Sequence, residues 1–182
     1  MNTIPSFTSL FLLAFKREQK LEAWTENAGG EKVFIRSWPF TATSGTRGPK
    51  LREGDLQIPE GVYGVEYLNP NSRFHLSFKL TYPNAFDRAM AERDGRTDPG
   101  SDIFIHGGAQ STGCIAIGDE AIEALYAWVE QAGKENVTVM IFPCDARNGG
   151  VFPSPHNAPG WTEELYAMLY GELMPFDGRR RS

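Results

Sequence analysis

The pattern of apolar positions along the chain predicts mainly β-strands. Short apolar runs separated by turn residues predict strands over 10–15, 20–25, 32–40, 62–68, 74–80, 102–106 and 137–142. An Asn-Pro-Asn-Ser sequence at 69–72 predicts a turn. The run 102–106 is apolar on both faces and ends in His106, which is typical of a buried central strand.

Three segments have the apolar spacing of helices. In the strongest, 119–132, an apolar stripe agrees with a cap at Asp119 and with acidic residues in the first turn. Shorter helices are predicted over 83–94 and 161–170, and the second is expected to bury Met168. Many strands with few helices predict a mostly β α+β domain built around a curved or two-layered sheet.

Length, charge and cysteine content narrow the class of protein. The 182 residues fit one domain, which we assign to 8–176, followed by a disordered basic tail at 177–182. The net charge is −5 and no basic stripe is present outside the C-terminus, which argues against nucleic-acid binding. Two cysteines exclude a disulfide scaffold and a Cys-rich zinc module.

The sequence predicts no transmembrane helix, and no signal peptide is visible in it. No uncharged stretch is long and apolar enough to span a bilayer. No Lys or Arg precedes the apolar run 10–15, and no small-residue cleavage site follows it. We therefore interpret this run as the first strand of a chain that starts at or near the mature domain.

The segment His-Gly-Gly-Ala-Gln-Ser-Thr-Gly-Cys, from His106 to Cys114, combines a base with a nucleophile. A nucleophilic cysteine needs a base within hydrogen-bond reach and a third group that orients the base. The loop is compact enough to return Cys114 toward His106, and the carbonyl of Gly107 or of the next glycine can accept the Nδ1 proton. The amides of Gly113 and Cys114 are candidates for an oxyanion hole.

Other kinds of chemistry fit the sequence less well. Three histidines and two cysteines without ligand spacing predict no metal site, and nothing requires a cofactor. A papain-like peptidase would carry an aromatic residue directly after the cysteine, where Ile115 stands. Cys144 is interpreted as structural. Cys114, paired with His106 in an electropositive loop, is expected to have a depressed thiol pKa.

These residues resemble the catalytic domain of the L,D-transpeptidases, the YkuD type, and within it the YafK-like branch. The family pattern is Ile-His-Gly at a strand end, followed by Ser or Thr, a variable residue and Gly-Cys, and it stands here at 105–107 and 111–114. The resemblance covers roughly residues 10–143. Further similar segments lie at 48–55, 58–63, 69–75 and 82–84.

The resemblance implies an L,D-transpeptidase catalytic fold and a peptidoglycan enzyme that acts on stem-peptide amide bonds at diaminopimelate. Cys114 is then the nucleophile that forms a thioester, and His106 is its base, with no cofactor. The better-known transpeptidases have a second His where this chain has Thr112, and their catalytic His lies further upstream. The YafK-like branch shares both departures and resembles an amidase that detaches a lipoprotein from peptidoglycan.

We therefore favour a hydrolase, or amidase, that releases a peptidoglycan-linked lipoprotein in the periplasm or cell envelope. The implied partners are stem peptides and that lipoprotein. Three alternatives remain open: an L,D-transpeptidase that forms cross-links or attaches protein, a non-catalytic peptidoglycan-binding domain, and a secreted cell-wall toxin.

Substrate binding is assigned to a small set of polar residues near the motif and on the strand around 74–80. They are Arg73, His75, Tyr82, Asn84, Ser111 and Thr112. If the first four face His106, they can bind the carboxylates and the amine of a diaminopimelate-type peptide, Arg73 with a bidentate contact. Lys50 and Asp55 are interpreted as part of a solvated loop.

Overall fold

Two β-sheets form the framework of the protein. A computed structural model describes residues 8–177. The strands in that range are β1 Leu10–Phe15, β2 Lys20–Glu26, β3 Lys32–Pro39, β4 Gly61–Tyr63, β5 Val65–Ser72, β6 His75–Leu80, β7 Phe104–His106, β8 Ile115–Ala116 and β9 Val137–Phe142. The helices are α1 Ala85–Arg93, α2 Asp119–Ala132 and α3 Thr162–Leu173, with short 3₁₀ turns at Lys134–Asn136 and Met174–Phe176. The predicted mostly β α+β class is confirmed. The tail assigned to 177–182 lies outside the described residues apart from Asp177.

The five-stranded sheet has the order β3-β2-β1-β9-β4, and the four-stranded sheet has the order β5-β6-β7-β8. Two neighbouring pairs are parallel, β1 with β9 and β7 with β8, and the others are antiparallel. The parallel β1–β9 pair joins residues that are far apart in the sequence at the centre of the larger sheet.

The centre of the larger sheet is buried on both faces, and its central strand β1 is apolar at every position. Leu12 of β1 packs into a core shared with the second sheet and α2, whereas the adjacent Leu13 packs into a core shared with α3. Both side chains are fully buried. Continuous rather than alternating hydrophobicity in β1 and β9 is what such a double-sided position requires.

The predicted strand over 62–68 is wrong as one strand. The chain breaks at Gly64, so that β4 joins the five-stranded sheet and β5 joins the four-stranded one. The Gly64 amide donates to Thr81 Oγ1 at 2.8 Å, and the Thr81 amide donates to the Gly64 carbonyl at 3.0 Å. These two bonds close the corner where the chain changes sheets.

The turn predicted at 69–72 is also wrong, because β5 continues to Ser72 and the chain reverses at Arg73 and Phe74. Pro70 is tolerated in the strand because β5 is the edge of its sheet, where a missing amide leaves no neighbour unpaired. The ladder also shifts register between Asn69 and Ser72.

Two details of the predicted helices are corrected. The N-cap of α2 is Gly118, with φ 83°, and the Asp119 carboxylate instead accepts the amide of Gly108 at 2.7 Å. Met168 of α3 is 40% exposed rather than buried. The Asp119 carboxylate, which the sequence predicts to cap α2, therefore binds the loop that packs on the start of this helix.

A buried polar network fastens the segment before β4 to the sheet and to α3. Lys16 Nζ contacts Glu60 Oε1 at 2.9 Å and also donates to the carbonyls of Gly48 and Ile58, at 2.7 and 2.9 Å. Tyr166 of α3 donates its hydroxyl proton to Glu60 Oε2 at 2.7 Å. Burial lowers the Lys16 pKa, and the Glu60 charge opposes that shift.

Glu60→Ala should lower the free energy of unfolding by about 3–5 kcal/mol, because it leaves the Lys16 ammonium buried without its counter-charge. Urea unfolding followed by circular dichroism measures this loss. Glu26→Ala, which breaks the more exposed Lys32–Glu26 pair, is the control and should cost at most about 1 kcal/mol. Equal losses in the two variants would contradict a stabilising role for the buried network.

Candidate active site

The parallel pairing of β7 with β8 returns Cys114 to the strand that ends in His106. Ile105 pairs with Ile115 and His106 pairs with Ala116 in a parallel ladder. Cys114 directly precedes β8, and its Sγ lies 3.7 Å from the carbonyl of Asp102, just before β7. The paired Ile105 and Ile115 are fully buried in the core.

His106 is fixed in position and in tautomer. Its Nδ1 lies 2.6 Å from the Gly107 carbonyl, which can only accept, so Nδ1 carries the proton and Nε2 is left with a free lone pair. The ring of Phe74 stacks on the imidazole with centroids 4.5 Å apart. Burial lowers the pKa of His106, partly opposed by the Gly107 bond, so the imidazole is neutral at pH 7. A neutral, oriented imidazole is suited to accept a proton.

Gly107 is required at its position by close packing. A Cβ there would lie 2.6 Å from Asp119 Oδ1 and 2.7 Å from the Phe74 carbonyl, distances that real side chains do not adopt. The Asp119 carboxylate occupies this space because it accepts the Gly108 amide. The start of α2 therefore holds the beginning of the loop.

The second half of the loop is held by Ser44. The Gly113 amide donates to Ser44 Oγ at 2.7 Å, and Ser111 Oγ donates to the Cys114 carbonyl at 2.7 Å. The Gly113 amide, which the sequence predicts to serve an oxyanion hole, thus has Ser44 Oγ as its acceptor in this structure. Thr112 is exposed at the outside of the loop.

The Cys114 thiol is partly buried, and its Sγ donates to the Asp102 carbonyl at 3.7 Å. Burial raises the thiol pKa and the Asp102 charge adds to that rise, while the Phe104 amide and the Lys50 ammonium oppose it. The expectation of a depressed pKa is therefore wrong in sign. Burial thus favours the neutral thiol and the neutral imidazole over a thiolate–imidazolium pair.

Lys50 is a charged group near the thiol that sequence reasoning placed in a solvated loop. It is 6% exposed, and its Nζ donates to Asp55 Oδ1 at 2.7 Å and to the Arg52 carbonyl at 2.9 Å. The alternation of charged residues in this segment resembles a solvated loop, so only the packing against neighbouring segments identifies it as buried. No role in the site was predicted for Phe74, which stacks on His106, because it follows a segment of turn residues.

The comparisons with known proteins agree with this fold and motif. A family model described as the L,D-transpeptidase catalytic domain matches residues 11–141, a range that includes both His106 and Cys114. The chain belongs to the L,D-transpeptidase catalytic domain family. The predicted family resemblance is confirmed, and with it the L,D-transpeptidase-like fold.

Several relatives can be named for this L,D-transpeptidase domain. YafK from Escherichia coli (strain K12), which its name places among the L,D-transpeptidases, is 32% identical over 139 residues, or 74% of this chain and 54% of YafK. The helical cell shape determining protein Pgp2 from Campylobacter jejuni superposes with a TM-score of 0.62 at 22% identity, covering 79% of this chain and 53% of Pgp2. Bd1075 from Bdellovibrio bacteriovorus has a TM-score of 0.56 at 25% identity, covering 76% and 49%. The chain thus spans about half the length of the relatives it matches.

The four residues outside the loop that were assigned to substrate binding in this L,D-transpeptidase domain separate into two pairs. Arg73 and His75 line an open groove of ≈ 420 Å³ together with the loop residues Gly108 and Gln110. His75 Nε2 also lies 2.6 Å from Glu123 Oε1 of α2. The groove therefore begins directly beside the loop that follows His106.

Tyr82 and Asn84 have partners within the fold. The Tyr82 hydroxyl donates to the Pro99 carbonyl at 2.6 Å, and the buried Tyr82 ring packs against Tyr63. Asn84 is the N-cap of α1 and donates its side-chain amide to the Val62 carbonyl at 3.0 Å. The structure thus uses the polar atoms of both residues to hold α1 and its neighbouring segments.

Within residues 8–177, no group of three or more His, Cys, Asp and Glu side chains is arranged to hold a metal ion. Over the same range, no helix is long and apolar enough to cross a membrane.

Cys114 should react with iodoacetamide before Cys144, because Cys144 is only 2% exposed whereas Cys114 is partly buried at the surface of its sheet. Since the reactive species is the thiolate and the Cys114 pKa is raised, labelling should be slow at pH 7 and accelerate as the pH rises past the ordinary thiol value of about 8.5. Mass spectrometry of the two cysteine peptides measures both rates. Equal labelling of the two cysteines in the folded protein would contradict this picture.

Proposed function

We propose that this domain is a cysteine-dependent peptidoglycan enzyme that cleaves stem-peptide amide bonds at diaminopimelate and releases a linked lipoprotein. The observation that carries the proposal is the parallel pairing of β7 with β8, which returns Cys114 to the strand that ends in a neutral His106 whose Nδ1 is bound to Gly107. Membership of the L,D-transpeptidase family supports peptidoglycan as the substrate class. Residues 8–176 form the catalytic domain, and the cell envelope or periplasm is its place of action.

The first half of the reaction forms a thioester. The thiol leaves the Asp102 carbonyl, Sγ attacks the carbonyl carbon at the L-centre of diaminopimelate, and Nε2 of His106 takes the thiol proton. The tetrahedral intermediate breaks its C–N bond, and the departing amine takes that proton from the imidazolium. Because the Gly113 amide is bound to Ser44, the Cys114 amide is the donor left for the developing oxyanion.

Water resolves the thioester in the second half. His106, neutral again, takes a proton from water as the hydroxyl attacks the acyl carbon, and the C–S bond breaks to give a carboxylic acid and the free thiol. Exposed Thr112 and the open groove at Arg73 leave room for water beside the acyl group. In this proposal Arg73, which lines the groove, pairs with a carboxylate of the stem peptide.

His106→Ala should lower kcat/KM by about 10²–10⁴-fold, because the thiol then loses its general base. In the unaltered enzyme, activity should fall as the pH drops through the His106 pKa, which lies below its usual value of about 6.5, since only the neutral imidazole accepts a proton. A pH profile of stem-peptide hydrolysis measures both effects. His156→Ala, at an exposed loop position, is the control and should be unchanged; a loss with His75→Ala as large as with His106→Ala would contradict the base assignment.

Sacculi that carry a covalently linked lipoprotein distinguish hydrolysis from the alternatives. Treatment with the purified protein should release the lipoprotein without new cross-links, and Cys114→Ala should release none. Mass spectrometry of the products after muramidase digestion provides the measurement. Cross-linked muropeptide dimers, or incorporation of an added D-amino acid, in excess of release would establish transpeptidation instead, and binding without any product would establish a binding domain.

A further inference from the structure

The backbone immediately before β7 has an unusual conformation at Asp102. Its φ is 54°, in the left-handed region that few residues other than glycine adopt, although Asp and Asn tolerate it better than most. This conformation presents the Asp102 carbonyl to the Cys114 thiol, with Sγ and the oxygen 3.7 Å apart. In the described residues, the hydrogen bond of this thiol therefore goes to a main-chain carbonyl and not to His106.

The hydrogen bonds between β6 and β7 indicate that the Phe104 amide lies on the other side of the Cys114 sulfur. The Leu80 amide donates to the Ile103 carbonyl and the Gly107 amide donates to the Leu76 carbonyl, so alternate residues from Ile103 to Gly107 bond to β6. The peptide groups of Phe104 consequently face the β8 side. Since β8 begins only at Ile115, the Cys114 side chain takes the position beside the Phe104 amide, and this amide favours the thiolate.

Polar contacts hold the segment that carries the Asp102 carbonyl and the Phe104 amide from both sides. Lys79 of β6, which pairs with Phe104 across the ladder, contacts the Asp102 carboxylate at 3.0 Å. The same ammonium lies 3.4 Å from Glu66 of β5. On the other side, the Ser101 amide donates to Glu53 Oε2 at 3.0 Å. The carbonyl that faces the thiol is therefore held by contacts from two strands and a loop.

We propose that Asp102 is a positioning residue for the nucleophile. Its main-chain carbonyl, oriented by the left-handed backbone at this residue, holds the Cys114 thiol in a protonated resting orientation, and Lys79 offsets the charge of the Asp102 carboxylate beside the thiol. When the proton leaves, the Phe104 amide receives the thiolate. The proposal rests on the proposed function only in taking Cys114 as the nucleophile.

The charged groups around the Cys114 sulfur determine whether each substitution makes the thiol more or less acidic. The Asp102 carboxylate disfavours the thiolate, and Lys79 offsets that carboxylate. The Lys50 ammonium favours the thiolate but is itself paired with Asp55. His106, at the end of β7, is neutral at pH 7. Removing the Asp102 charge should therefore make the thiol more acidic, and removing the Lys79 charge should make it less acidic.

Iodoacetamide labelling of Cys114, followed by mass spectrometry from neutral to alkaline pH, tests these opposite signs without any wall substrate. Asp102→Asn, which keeps a side chain tolerated at positive φ, should label roughly 3- to 10-fold faster at pH 7. Lys79→Met should label slower by a similar factor, and Lys79→Arg should resemble the unaltered protein. Glu66→Gln, which touches the same lysine but not the thiol segment, is the matched control and should be unchanged. Superimposable pH profiles for all variants would overturn the proposal.

The resting hydrogen bond has its own signature in the S–H stretching band. An infrared difference spectrum of the protein against Cys114→Ala isolates this band from that of Cys144. Asp102→Gly, which adopts the left-handed conformation without strain, should keep the lowered frequency of a bonded thiol, whereas Asp102→Ala should move the band to the free-thiol frequency. A free-thiol band in the unaltered protein would overturn the proposal. Both measurements remain valid if no peptidoglycan activity is found, so failure of the two proposals can be told apart.

Discussion

The parallel pairing of β7 with β8 is the constraint on which the candidate site depends. Parallel neighbours are usually joined by a crossover of a dozen or more residues, but here only residues 107–114 connect them. The connection is possible because both strands are very short, so the chain has little distance to return. It must still turn tightly, and Gly108 and Gly113 take φ values of 68° and 113°. This short return brings Cys114 back beside β7, the strand that ends in His106.

Distant parts of the chain hold that loop in place. Asp119 at the start of α2 binds its first half, and Ser44, between β3 and β4, binds its second half. The segment with Ser44 continues to Glu60, which is fixed by the buried network with Lys16. The larger sheet thus supports the site through the hydrogen bonds of the Ser44–Glu60 segment, in addition to the support from the strands of the site.

Burial also determines the electrostatics of the site. It raises the pKa of the Cys114 thiol and lowers that of the His106 imidazole, because each charged form loses solvation. Both groups are therefore favoured in their neutral forms at pH 7. The carbonyl of Asp102 gives the protonated Cys114 thiol a hydrogen-bond acceptor.

The sequence by itself determined the fold class, the family and most of the strands and helices, because these follow from local apolar periodicity and from a motif confined to the short segment that ends at Cys114. It also predicted His106 and Cys114 as a base and a nucleophile, from residue type and spacing. It failed where the tertiary environment overrides a local signal. Pro70 indicates a turn but lies in an edge strand, and Asp119 has the pattern of a helix cap but binds a loop.

The tertiary structure decided the protonation states and the partners of the site. Whether Lys50 is solvated, whether the Gly113 amide is free and whether the thiol is acidic all depend on which distant residues pack nearby, and none of this appears in the local sequence. Desolvation and hydrogen bonding act through space, between residues that are far apart in the chain. For that reason the sequence predicts candidate reacting residues, whereas only the fold determines how they are held and when they are charged.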